Sequence, residues 1–167
     1  RYDCKDVEYD TVGTESATLT DTSSEDYSAI YREFNPVNSG IVTLEMYTSM
    51  FSKDNGVYIG FDNDDDKSCF KLQADNGYFA LYGKEKHVTD IPVSTDKTEE
   101  YVVLMHIDFD NHNMYAVING MTTDYIEIPE NITVSRLIVG TTVEGTGVIT
   151  LHRVYMYENY AMAQHFS

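Results

Sequence analysis

Between Gly40 and Phe51 apolar and polar residues alternate almost one for one. Val42, Leu44, Met46 and Met50 fall on one face, and Thr43, Glu45, Tyr47 and Ser49 on the other. Successive strand side chains point to opposite faces, so this pattern predicts a strand with one side in a core and one in water. In Val57–Asp62 the same reading turns Val57, Ile59 and Phe61 inward and leaves Tyr58, Gly60 and Asp62 facing out. Adjacent strands would set Tyr47 and Tyr58 side by side on one exposed sheet. The stretch Tyr101–Gly120, YVVLMHIDFDNHNMYAVING, predicts two strands joined by Asp110-Asn111-His112-Asn113, with Asn119-Gly120 as a further turn. These turn residues tolerate left-handed backbone and bond to their own main chain. Val102, Leu104 and His106 alternate there with Val103, Met105, Ile107 and Phe109. Both faces are largely apolar, which predicts a strand covered on both sides within a packed sandwich.

Strand candidates follow one another along the chain. They are Ser16–Thr20, Tyr27–Phe34, Gly40–Phe51, Val57–Asp62, Cys69–Gln73, Tyr78–Tyr82, Glu99–Phe109, Met114–Asn119, Tyr125–Ile128, Val134–Val139 and Val148–Tyr157. Asn35-Pro36, Asp54-Asn55-Gly56, Asn63–Asp66, Asp75-Asn76-Gly77 and Glu144–Gly147 mark turns between them. No segment shows capped helical periodicity; Glu158–Phe166 has room for one helical turn. Short strands at this spacing predict an all-β, antiparallel two-sheet sandwich in a single domain spanning 1–167. No stretch approaches the length of apolar chain a membrane helix needs. The chain opens at Arg1 without an initiator Met or signal peptide, which fits a piece excised from a larger multidomain protein.

Charge narrows the partners. Twenty-eight acidic residues against eleven basic ones give a formal charge of −17. That field disfavours nucleic acid and membrane surfaces, and it leaves neutral ligands, cations and basic partners open. It also serves solubility. Cys4 and Cys69 are the only cysteines. They permit one disulfide in a secreted domain or two buried thiols, and alone they make no zinc site. Fourteen Tyr, seven Phe and no Trp suit strands and half-wet surfaces.

The succession Ser39–Phe51 (SGIVTLEMYTSMF), Val57–Leu72 (VYIGFDNDDDKSCFKL), Asp75–Tyr82 (DNGYFALY), Tyr101–Gly120 and Leu137–Tyr157 (LIVGTTVEGTGVITLHRVYMY) covers most of the chain. It resembles the concanavalin A-like jelly-roll domains, the laminin-G and lectin-like sandwiches appended to bacterial polysaccharide-degrading enzymes. The ending YENYAMAQHF resembles the tail of such modules. The resemblance implies a concave sheet, with sugar bound there or on loops at one end. Two departures matter. The Glu-x-Asp-x-x-Glu carboxylate spacing of glycoside hydrolases with this fold is missing. Leu151-His152-Arg153 stands where calcium-binding relatives carry an Asp pair.

Several constellations carry chemistry. Tyr47, Tyr58, Tyr78 and Tyr82 form a candidate stacking platform for the C–H face of a pyranose. Arg32, Glu45, Asp62, His106 and Arg153 are candidates to bond its hydroxyls if their strands share that sheet. Asp62, Asp64, Asp65 and Asp66 concentrate hard oxygens that suit calcium, with Asp62, Asp64 and Asp66 the candidate ligands; a solvated turn explains the run equally well. No other cofactor is indicated. His106 with Tyr58 and Arg153 permits a lyase reading, a base beside a group that neutralises a uronate carboxylate. Asn131-Ile132-Thr133 is a glycosylation sequon in a eukaryotic secretory setting.

The expected protein is a non-catalytic carbohydrate-binding module of a secreted or surface bacterial protein. It would be a monomer tethered to other domains, keeping them near polysaccharide. A small polysaccharide lyase or hydrolase, and an architectural or protein–protein module without a sugar site, are the alternatives.

Overall fold

The computed structural model describes residues 2–3, 7–8, 17–21, 29–49, 57–63, 68–93, 100–141 and 147–158. Their strands in chain order are β1 (Tyr2–Asp3), β2 (Val7–Glu8), β3 (Ala17–Asp21), β4 (Ala29–Val37), β5 (Ile41–Ser49), β6 (Val57–Asp62), β7 (Ser68–Asp75) and β8 (Tyr78–Tyr82). They continue as β9 (Lys86–Pro92), β10 (Glu100–Asp108), β11 (Asn113–Ile118), β12 (Met121–Thr122), β13 (Ile126–Glu127), β14 (Val134–Thr141) and β15 (Gly147–Glu158). One sheet runs β1-β4-β14-β6-β7-β8-β9 and the other β12-β11-β10-β5-β15-β3-β2, with β13 also on β11. Every pairing is antiparallel. The chain changes sheet between β1 and β2, β3 and β4, β4 and β5, β5 and β6, β9 and β10, β13 and β14, and β14 and β15. This is the all-β jelly-roll sandwich that the alternation predicts.

The core is made by the inward rows. Val42, Leu44 and Met46 of β5 and Val103, Met105 and Ile107 of β10 face Val57, Ile59 and Phe61 of β6 and Phe70 and Leu72 of β7. A ladder of rings joins the layers: Phe61 lies 6.0 Å from Phe34 and 6.1 Å from Phe70, and Phe70 lies 5.9 Å from Phe109. Each large side chain buried this way contributes about 1.5–3 kcal/mol relative to leaving it exposed. Asn76-Gly77 and Asn119-Gly120 each take positive φ at both positions, the two-residue hairpin turn that matches strand twist. Asp108 holds the β10–β11 hairpin. Its carboxylate accepts the backbone N–H groups of Asp110 and Asn111 at 3.1 and 3.0 Å and the Asn111 side-chain amide at 2.8 Å.

Three expectations need correction. The outward row of β10 is not covered: Val102 is 41% exposed, and Leu104 and His106 are half-buried. That row is the outer surface of the sandwich, left apolar. Asp62 does not face water either, being only 3% exposed beside Arg136. Tyr47 and Tyr58 lie on different sheets, because β5 pairs with β10 and β15 whereas β6 pairs with β14 and β7. Cys4 lies outside the described residues; of Glu158–Phe166, expected to have room for one helical turn, Glu158 ends β15 and the rest lies outside them.

Candidate functional site

The outer face of the sheet containing β5 gathers four of the nine polar and aromatic candidates. Register sets Val102, Tyr47 and Arg153 in one row, Leu104, Glu45 and Tyr155 in the next, and Tyr115, His106, Thr43 and Tyr157 in a third. A bulge in β15 makes this possible. Ile149 and Leu151 point to the core, the register shifts between Leu151 and Arg153, and Val154 and Met156 then take over the inward row. Without the extra residue Arg153 would follow Leu151 inward. His152, at the bulge, meets the Ser49 hydroxyl at 2.9 Å.

These groups hold one another in place. The Tyr47 hydroxyl donates to Glu45 Oε1 at 2.9 Å, and the Arg153 guanidinium stands 5.9 Å from the Tyr47 ring centre. The hydrogen bond to Glu45 and its negative charge raise the Tyr47 pKa, with Arg153 opposing. His106 stacks on Tyr115 at 4.7 Å, and Tyr115 lies 4.9 Å from the exposed Tyr125. Tyr155 and Tyr157 run parallel at 6.5 Å. Burial pulls the His106 pKa below its ordinary value, against the Asp108 carboxylate. A surface of aromatic faces, one guanidinium and one carboxylate can stack a sugar ring and bond its hydroxyls.

Of the nine residues named for the ligand, Glu45, Tyr47, His106 and Arg153 share this face, whereas the exposed Tyr78 lies on β8 of the opposite sheet. Tyr58 and Tyr82 lie on the outer face of the opposite sheet, with Lys71 between them. Arg32 is exposed on β4 in that second sheet. The lyase trio is therefore divided, Tyr58 on one sheet and His106 and Arg153 on the other. Asp62 is engaged: Arg136 donates Nε to Oδ1 at 2.8 Å and a terminal nitrogen to Oδ2 at 3.0 Å, then reaches the Asn63 carbonyl at 2.8 Å. The guanidinium also covers the Tyr31 ring at 4.6 Å. Asp64, Asp65 and Asp66 lie outside the described residues. Tyr115, Tyr125, Tyr155 and Tyr157 are additions that the sequence reading missed. The Tyr-x-Tyr spacing at 155 and 157 carried the signal, obscured by the bulge upstream.

No protein-family model matches the chain, and no curated protein matches its sequence. Solved structures do resemble it. A sialidase aligns over 87% of this chain at 15% identity and TM-score 0.70, and the chain spans 15% of the sialidase. The binding domain of botulinum neurotoxin DC, in complex with SialylT, aligns over 99% at 11% identity and TM-score 0.64, with 44% of that chain covered. An alginate lyase of polysaccharide lyase family 7 aligns over 92% at 10% identity and TM-score 0.64, with 82% of the lyase covered. Some of these similar structures are enzymes and others binding domains; at such identities the likeness speaks to architecture. The chain has the concanavalin A-like β-sandwich fold.

Proposed function

We propose that this chain is a non-catalytic carbohydrate-binding module that seats a polysaccharide on the outer face of the sheet containing β5. One observation carries the reading: strand register brings Glu45, Tyr47, His106 and Arg153 onto a single face already lined by Tyr115, Tyr155 and Tyr157. Tyrosine rings offer the stacking surface, and Glu45 and Arg153 offer an acceptor and a donor for sugar hydroxyls. The similar toxin domain, solved with SialylT, and the alginate lyase support a saccharide ligand for this architecture. Separation of Tyr58 from His106 and Arg153 favours binding over the lyase chemistry that needs them together. The module would act as a monomer within a secreted or surface bacterial protein, raising the local concentration of polysaccharide for its neighbours.

A glycan array probed with the chain tests this. Retention of a defined set of glycans, with no reducing ends or unsaturated products released from them, is the expected result. Turnover of a bound glycan, or no retention of any, contradicts it.

A further inference from the structure

The lysines of the described residues gather in one corner: Lys71 on β7, and Lys84 and Lys86 around the turn from β8 to β9. Lys84 lies 3.8 Å from Glu127, and Lys86 contacts the buried Asp75 carboxylate. Lys71 differs. Register sets it between Gly60 of β6 and Tyr82 of β8 on the outer face of its sheet. A Cβ on Gly60 would stand 2.6 Å from the Lys71 Cβ and 2.4 Å from the Phe70 carbonyl oxygen, so only glycine admits this close approach. The ammonium comes to lie 4.7 Å from the Tyr58 ring centre and 4.8 Å from that of Tyr82. Ring faces attract a cation without supplying a full negative charge. Among the described residues no carboxylate forms an ion pair with Lys71. Burial meanwhile pulls its pKa below the ordinary value.

We propose that Lys71, flanked by Tyr58 and Tyr82, receives the carboxylate of a uronic acid residue, forming a second saccharide site on the sheet opposite Tyr47. A part-buried ammonium held between two rings gains most from a small anion that brings its charge into contact. Two phenol groups border the spot and suit the hydroxyls of a sugar ring. Lys86 beside them also lines a cavity of 360 Å³ with Lys84, Glu85, His87, Ile126 and Glu127, room for the rest of a saccharide. The overall charge of −17 sets the ligand's charge density. Repulsion between exposed charges is screened beyond about 8 Å at physiological salt, so a single carboxylate in contact with Lys71 prevails where a dense polyanion is repelled.

Calorimetric titration of the full chain with a disaccharide ending in glucuronate, its methyl ester, and a sulfated disaccharide tests the site. The acid is expected to bind about tenfold more tightly than the ester. Lys71→Met, with an unchanged melting temperature, should lose that preference, and Lys71→Arg should retain it. Equal binding of acid and ester by the wild-type chain overturns the proposal, as does a folded Lys71→Met chain that still prefers the acid. A sulfated disaccharide bound as tightly as the glucuronate overturns the assignment to a carboxylate. If Lys71→Met does not fold, the comparison of acid with ester decides alone. That comparison is read whether or not any neutral glycan binds the Tyr47 face, so the two readings fail separately.

Discussion

Replacing Arg136 by Met removes the bidentate counter-charge that β14 supplies to Asp62. The pair is bidentate, at 2.8 and 3.0 Å, and a further 2.8 Å bond reaches the Asn63 carbonyl. Arg136 is 2% exposed and Asp62 3%, so water does not take over when the guanidinium is gone. Breaking a buried pair from one side destabilises by about 3–5 kcal/mol, because a carboxylate stays buried without its counter-charge. In a domain of this size about 2–4 °C of melting temperature corresponds to each kcal/mol. Arg136→Met should therefore lower the melting point by about 6–20 °C. Urea unfolding followed by far-UV circular dichroism gives the free energy directly. The second arm is Arg136→Met with Asp62→Leu, which removes both charges and should recover most of the loss, since apolar replacement of a whole pair is often neutral. A single mutant within about 1 kcal/mol of wild type, or a double mutant as unstable as the single, refutes the argument.

Three further outcomes follow from other parts of the molecule. Burial alone would raise the Asp108 pKa, but the hydrogen bonds from Asn111 and Asp110 hold it below the ordinary value. A depressed folded pKa gives stability that is complete above the unfolded value, about 4, and is lost as pH falls through the folded one. Asp108→Asn should flatten that acid limb of a melting-temperature profile, and an unchanged limb counts against the hairpin's role. Gly60→Ala drives a Cβ into the Phe70 carbonyl, so urea unfolding should show a loss of about 1–3 kcal/mol, and wild-type stability would deny the close approach. With Asp62 occupied by Arg136, calcium should raise the melting temperature no more than sodium at matched ionic strength. A calcium-specific rise abolished by Asp64→Asn with Asp66→Asn would place a metal in that turn.

Period-2 alternation made the inward rows legible, which is why all eleven expected strands that carry it are present. β9 escaped because its apolar residues fall out of phase. Val88 is exposed, while the inward row holds Ile91 and Thr89, whose hydroxyl bonds to the Phe79 carbonyl at 2.7 Å. Alternation says which residues share a face of one strand, and nothing about which strand lies beside it. Tyr47 and Tyr58 therefore looked like neighbours, although the chain crosses between sheets from β5 to β6. The partners of Glu45 come from β10 and β15, more than fifty residues away in sequence, and no local pattern encodes that pairing. Asp62 read as solvent-facing for the same reason: its counter-ion is 74 residues distant.

Affinity for a glycan retained on the array, measured by calorimetry for wild type, Tyr47→Ala and Tyr155→Ala, bears most directly on the function assigned to the β5 face. Both rings sit on that outer surface, on adjacent strands, and neither is part of the core. Each truncation should weaken binding by about 1–3 kcal/mol, as for loss of an aromatic anchor, while the melting temperature stays at the wild-type value. Wild-type affinity in both variants would contradict the assignment.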